Sequence, residues 1–132
     1  TDKRYQLASY HHSQWVDFPT RMLLPLMAQT LQNTHYFSAV FVPPVVDQYD
    51  YLLRTHIHQL QQNLTPSVPR VELAVEVALY HATTRQLVAV RTWHIKQPMS
   101  GTSVYEGVVA TNQAVSQYLT ELSNWCIKTT ST

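Results

Sequence analysis

Residues 71–80 read Val-Glu-Leu-Ala-Val-Glu-Val-Ala-Leu-Tyr, with an aliphatic side chain at every odd position and a small, acidic or aromatic one between. Successive side chains of a strand point to opposite faces, so this alternation predicts a strand with one greasy face and one wetter face. Such a strand is stable only if other strands flank it and another layer covers its apolar side. The neighbouring segments offer both. Residues 51–61 place Tyr51, Leu53, Thr55 and Ile57 on one side and Leu52, Arg54, His56 and His58 on the other. Residues 87–95 alternate less cleanly and follow a turn at residues 82–85, which makes a hairpin with the central strand.

Two helices are predicted to supply the cover. In residues 104–126, Val104, Val108, Thr111, Val115, Leu119, Leu122 and Cys126 fall on one side of a helical wheel, opposite Gln113, Gln117, Thr120 and Asn124. Ser103 and Glu106 have the spacing of a capping box. Residues 19–33 carry Met22, Leu23, Leu26, Met27 and Leu31 on a second helical face, with Asp17 as a start signal and Pro25 expected to kink the helix near Arg21. Short strands are expected at residues 5–10 and 37–42, the latter closed by Pro43-Pro44. The sum is an α+β fold: an antiparallel sheet of four to five strands with two helices packed on one face, in the order β-α-β-β-β-β-α. The opposite face, with Arg54, His56, His58, Glu72 and Glu76, is expected to be wet.

Composition fits a single domain over residues 1–132. Apolar residues make up 45% and charged residues only 13%, a balance unlike that of disordered chains. Nine basic residues against eight acidic ones, scattered along the chain, leave no cationic patch for nucleic acid or for anionic lipid headgroups. No apolar run is long enough to cross a membrane as a helix.

Groups that would carry chemistry are sparse. His56 and His58 share a strand face about 7 Å apart, and with Glu72 or Glu76 as a third ligand they form the one arrangement that a metal-dependent enzyme could use. The alternative is that both are ordinary polar residues of a wet face. His11-His12 sits in a connection where adjacent side chains diverge. Cys126, the only cysteine, excludes an internal disulfide and falls on the apolar stripe near a helix C-terminus, where the dipole raises the thiol pKa. The two glycines, Gly101 and Gly107, cannot build a nucleophile elbow or a phosphate-binding loop. No catalytic residue, cofactor or metal is expected, and the chain reads as non-enzymatic.

Several stretches together resemble a known family. Trp15-Val16-Asp17-Phe18-Pro19 runs into Met22-Leu23-Leu24-Pro25-Leu26, and His35-Tyr36-Phe37-Ser38-Ala39-Val40 follows. The alternating strands after Tyr51 include Pro66-Ser67, and the helix segment Gly107-Val108-Val109-Ala110-Thr111-Asn112-Gln113-Ala114-Val115 leads to Trp125-Cys126. This series resembles the ABC-type transport auxiliary lipoprotein components, which accompany MCE/Mla-type transporters of phospholipid in the Gram-negative envelope. His35-Tyr36 stands where that family often has Ser-Gly.

The resemblance implies an adaptor or membrane tether that docks to an MCE-domain protein and ABC transporter subunits. It implies a periplasmic lipoprotein, held in the outer membrane in preference to the inner one by an N-terminal lipid. A signal peptide, a lipidated cysteine and first strands would then precede the present chain, and an uncovered sheet edge would favour self-association of copies. Leu24, pointing away from the apolar face of its helix, is the candidate partner contact; its alternative is a contact with the N-terminal strand. A second function, from another class, is a periplasmic carrier that holds an acyl chain between helices and sheet.

Overall fold

The computed structural model describes residues 15–44, 48–65 and 67–131. A three-residue strand β1 (Trp15–Asp17) leads through one turn of 3-10 helix (Thr20–Met22) into α1 (Leu23–Asn33). Three long strands follow, β2 (Tyr51–Asn63), β3 (Arg70–His81) and β4 (Leu87–Pro98), and the chain closes with α2 (Val104–Thr130). The strands form one antiparallel sheet in the order β1-β2-β3-β4, so the α+β class and the four-stranded antiparallel sheet are as expected.

The alternation of β3 sets the core. Val71, Leu73, Val75, Val77 and Leu79 are all buried. Residues opposite one another in an antiparallel pair share a face. Leu53, Ile57 and Leu60 of β2, with Trp93 and Ile95 of β4, therefore extend the same apolar surface on either side. Ile57 and Leu60 are three residues apart, which simple alternation forbids. A register shift between Ile57 and Gln59 makes His58 an extra residue and returns Leu60 to the core side.

Helix α2 lies over this surface with a face different from the predicted one. Gly107, Ala110, Ala114, Tyr118, Leu122, Trp125 and Cys126 are buried, whereas Val104 is 82% exposed and Val108 is also exposed. The buried stripe is rotated by roughly one residue toward small side chains, which let the helix axis approach the sheet. At Gly107 even a Cβ would collide with the buried Gln62 side chain of β2. Tyr118 fills the space behind the small residues. Its ring meets Trp93 edge-on at 5.4 Å, and its hydroxyl reaches the Met27 sulfur of α1 at 3.5 Å.

The first helix also departs from expectation. Residues 20–22 form the 3-10 turn and α1 starts at Leu23, so Pro25 falls in the first α turn, where its missing N–H has no partner to lose and no kink is needed. Leu23, Met27 and Leu31 are buried, while Met22 and Leu26 are exposed. Asp17 caps no helix: it belongs to β1, and its carboxylate accepts a hydrogen bond from Gln61 Nε2 at 2.6 Å. Residues 37–42 form no strand, although Phe37 and Val40 pack against the core. The strand expected at residues 5–10 lies outside the described residues. His35, with φ of 59°, takes the left-handed position after α1 that glycine usually fills.

The capping box is present: Ser103 Oγ accepts from Glu106 N at 3.2 Å, and Glu106 Oε1 accepts from Ser103 N at 3.1 Å. Gly101 lies beside it, and a Cβ there would displace the Glu106 carboxylate from its place in the box.

Leu122 is fully buried at the centre of the interface, so Leu122→Ala should cost about 3 kcal/mol in urea unfolding through lost burial and the void left behind. A loss under about 1 kcal/mol would mean that the helix does not pack there. Thr55 carries a buried hydroxyl with no hydrogen-bond partner. Thr55→Val is therefore expected to be neutral or to stabilise by about 1 kcal/mol in the same assay.

Candidate functional site

Among the described residues the sheet has helices on one face only, and the other face presents a line of polar side chains. His56 and His58 do lie together there, with ring centroids 4.3 Å apart, closer than the regular strand repeat because the irregularity at His58 draws the two side chains together. His58 Nε2 lies 3.6 Å from Glu76 Oε1. Glu72 does not join them. Among the described residues no three His, Cys, Asp or Glu side chains are placed to hold a metal ion.

Glu72 is not wet, contrary to the expectation for this face: its side chain is 8% exposed. Arg70 Nε donates to Oε2 at 2.7 Å and His94 Nε2 lies 3.2 Å from Oε1. The Arg70 guanidinium in turn sits 5.6 Å from the ring centroid of Trp15 in β1. This chain of contacts ties the short edge strand to the middle of the sheet. Burial pushes the Glu72 carboxyl upward, but the hydrogen bonds from Arg70 and His94, with the charges of Arg70 and Lys96, outweigh it and hold the pKa below its ordinary value.

Cys126 is buried, and burial pushes its thiol up to about 12, which makes it a packing group and a poor nucleophile. The cause is desolvation, where the sequence pointed to the helix dipole. Tyr118 is likewise pushed well above the ordinary phenol range by burial.

What the molecule offers outward is surface. Leu24 is 40% exposed on α1, close to the values for Leu26 and for Tyr36 beyond the helix. Tyr105, at 76%, stands beside Val104 at the start of α2. A groove of about 540 Å³ runs between β4 and the last third of α2, floored by Val88, Ala89 and Trp125 and walled by Arg91, Glu121 and Lys128. Arg91 lies over the Trp93 ring at 4.9 Å and 3.8 Å from Glu121. Sequence reasoning missed this groove. Its walls come from residues thirty or more positions apart, and the only local signal was a charged residue, Arg91, on the apolar side of a strand.

Comparison with known proteins agrees with the fold. The family model described as ABC-type transport auxiliary lipoprotein component matches residues 1–123. A crystal structure of a Xanthomonas campestris protein assigned to the family DUF330 is similar, with a TM-score of 0.76 and 25% sequence identity over 83% of this chain. The present chain spans 62% of that protein. Among curated proteins, none matches the sequence.

The Glu72 cluster makes a prediction about acid stability. A carboxyl whose folded pKa is depressed contributes stability above its unfolded pKa, near 4.3, and loses that contribution as pH falls through the folded value. Removing the arginine in Arg70→Met leaves a buried carboxylate short of its main partner and should cost about 2 kcal/mol at pH 7. The deficit should shrink as pH falls through the depressed folded value of the wild-type carboxyl, below which it is protonated in both variants. Urea midpoints on either side of that value check this, and a deficit independent of pH would contradict it.

Proposed function

We propose a role that starts from one fixed point: the chain belongs to the family of ABC-type transport auxiliary lipoprotein components. It is thus an auxiliary component of ABC-type transport, from a family of envelope lipoproteins. Within that frame, we infer a non-enzymatic adaptor or membrane tether of an MCE/Mla-type lipid transport system in the Gram-negative envelope. The observation that carries this reading is the contrast between the two kinds of side chain described above. Several groups able to do chemistry are engaged in packing or ion pairs among the described residues: Cys126 in the core, Glu72 with Arg70, His58 with Glu76. Large apolar side chains, meanwhile, stand in solvent on α1 and at the start of α2.

Docking to an MCE-domain protein and to transporter subunits is the expected use of such surface, with Leu24 and its neighbours on α1 among the contacts. The periplasm is the proposed location, with an N-terminal lipid holding the full protein in the outer membrane. The carrier alternative asks for an acyl-sized space between helices and sheet. Against it stands the packing of that layer, where Val71, Leu73, Val75, Ala114, Tyr118 and Leu122 have no exposed surface.

Affinity purification of the tagged full lipoprotein from detergent-solubilised envelope should recover an MCE-domain protein or an ABC transporter subunit, identified by mass spectrometry. Recovery of intact bait alone, in several detergents, would overturn the adaptor reading.

A further inference from the structure

We propose that the end of the molecule bearing Val68, Val104 and Tyr105 lies on the surface of a lipid bilayer, with these side chains at the level of the headgroups. The proposal rests on the reading of the protein as a lipoprotein anchored at its N-terminal side. It adds the face that meets the membrane and the chemistry of the contact.

Topology gathers these residues. Strand β2 ends at Asn63, β3 begins at Arg70, β4 ends at Pro98 and α2 begins at Val104, all at one end of the sheet. Met99 N donates to Pro69 O at 3.0 Å, which joins the two connections there, and Gly107 holds the first turn of α2 against Gln62. This end exposes Val68 at 58%, Val104 at 82% and Tyr105 at 76%. Cα–Cβ bonds in a helix tilt toward its N-terminus, so Val104 and Tyr105 lean outward past the start of α2. Tyrosine joins an apolar ring to a polar hydroxyl, the combination enriched where membrane meets water.

Apolar side chains are exposed elsewhere as well, on α1 and in the connection to β2. Two observations single out this end for a bilayer. First, β1 enters the sheet here, because Trp15 lies opposite Asn63, so the N-terminal side of the chain, where the anchor is, joins the fold at this end. Second, the charged groups around it are already engaged. Arg70 binds Glu72, Lys96 lies opposite Glu72, Asp17 accepts from Gln61, and the Glu106 carboxylate closes the capping box. The contact is therefore apolar in character and asks for no anionic lipid. A few side chains hold a protein on a bilayer only weakly, since even a single myristoyl chain binds marginally. An anchor makes the same contact intramolecular and so raises its occupancy. Helix α1 stays free for protein partners.

The test tethers the chain by an N-terminal hexahistidine tag to phosphatidylcholine vesicles containing a nickel-chelating lipid, which stands in for the anchor. Three variants, Val68→Cys, Val104→Cys and Leu87→Cys, each carry a polarity-sensitive fluorophore, while the buried Cys126 stays unlabelled, as mass spectrometry verifies. Leu87 is the control: it is 55% exposed and apolar, but it follows the β3–β4 turn at the far end of the sheet. Emission at positions 68 and 104 should rise about twofold on tethering, at low and at high salt, and be quenched by lipids spin-labelled near the headgroup. Position 87 should show neither change. Adding Val104→Asp and Tyr105→Asp to the Val68→Cys variant should remove most of the rise; acidic residues are favourable in a first helical turn, and circular dichroism checks the fold. No rise at positions 68 and 104, an equal rise at 87, or a rise that follows protein concentration without vesicles, as contact between copies would give, would overturn the proposal. The tag supplies the tether, so the native anchor is judged separately, by incorporation of radiolabelled palmitate into the full protein. Absence of incorporation would overturn the anchored reading, while the fluorescence still decides whether this end meets a bilayer.

Discussion

The contact between the apolar face of β3 and the small-residue face of α2 holds the rest of the molecule in place. Five aliphatic side chains of β3 leave water there, and Gly107, Ala110 and Ala114 let the helix come close enough to seal them. Tyr118 and Trp93 then fill the wider end, and Met27 of α1 touches Tyr118 from a third direction. Leu60 and Ile95 of the strands flanking β3 are buried in the same core, so the apolar face of the sheet takes its cover from this one interface.

That interface also decides what is left over. With both helices on one side, the second sheet face is stabilised by polar contacts and not by another layer. The costliest group on it, the buried Glu72 carboxylate, is neutralised by Arg70, and Arg70 in turn is stacked on Trp15. A β1 of only three residues is short for a strand, and this link gives it an anchor beyond its three register pairs with β2. Among the described residues no further strand pairs with the opposite edge, β4.

Much of this was legible in the chain itself. The period-two pattern of β3 and the Ser103–Glu106 box depend on neighbours a few residues away, and both appear where the pattern places them. The reading faltered where distant residues decide. Periodicity alone favoured the valine side of α2, but the face that packs on the sheet carries Gly107, Ala110 and Ala114, and Gly107 lies against the Gln62 side chain of β2. Pro25 looked like a kink only because the 3-10 turn ahead of α1 was unseen. The strand at Trp15–Asp17 has too few residues to show any period. Glu72 looked solvated because its partners, Arg70 apart, sit on other strands. The family resemblance reached further than any of these single signals, since it draws on many weak positions spread over most of the chain.

An adaptor that docks through exposed apolar side chains makes a spatial claim that can be tested in the intact envelope. A photo-reactive amino acid placed at Leu24, exposed on α1, should yield on irradiation a covalent adduct with one protein of the transport system. The same probe at Gln117, on the solvent side of α2, should yield little or none. Adducts from Gln117 but none from Leu24, or no adduct with any transport protein from either position, would contradict the account.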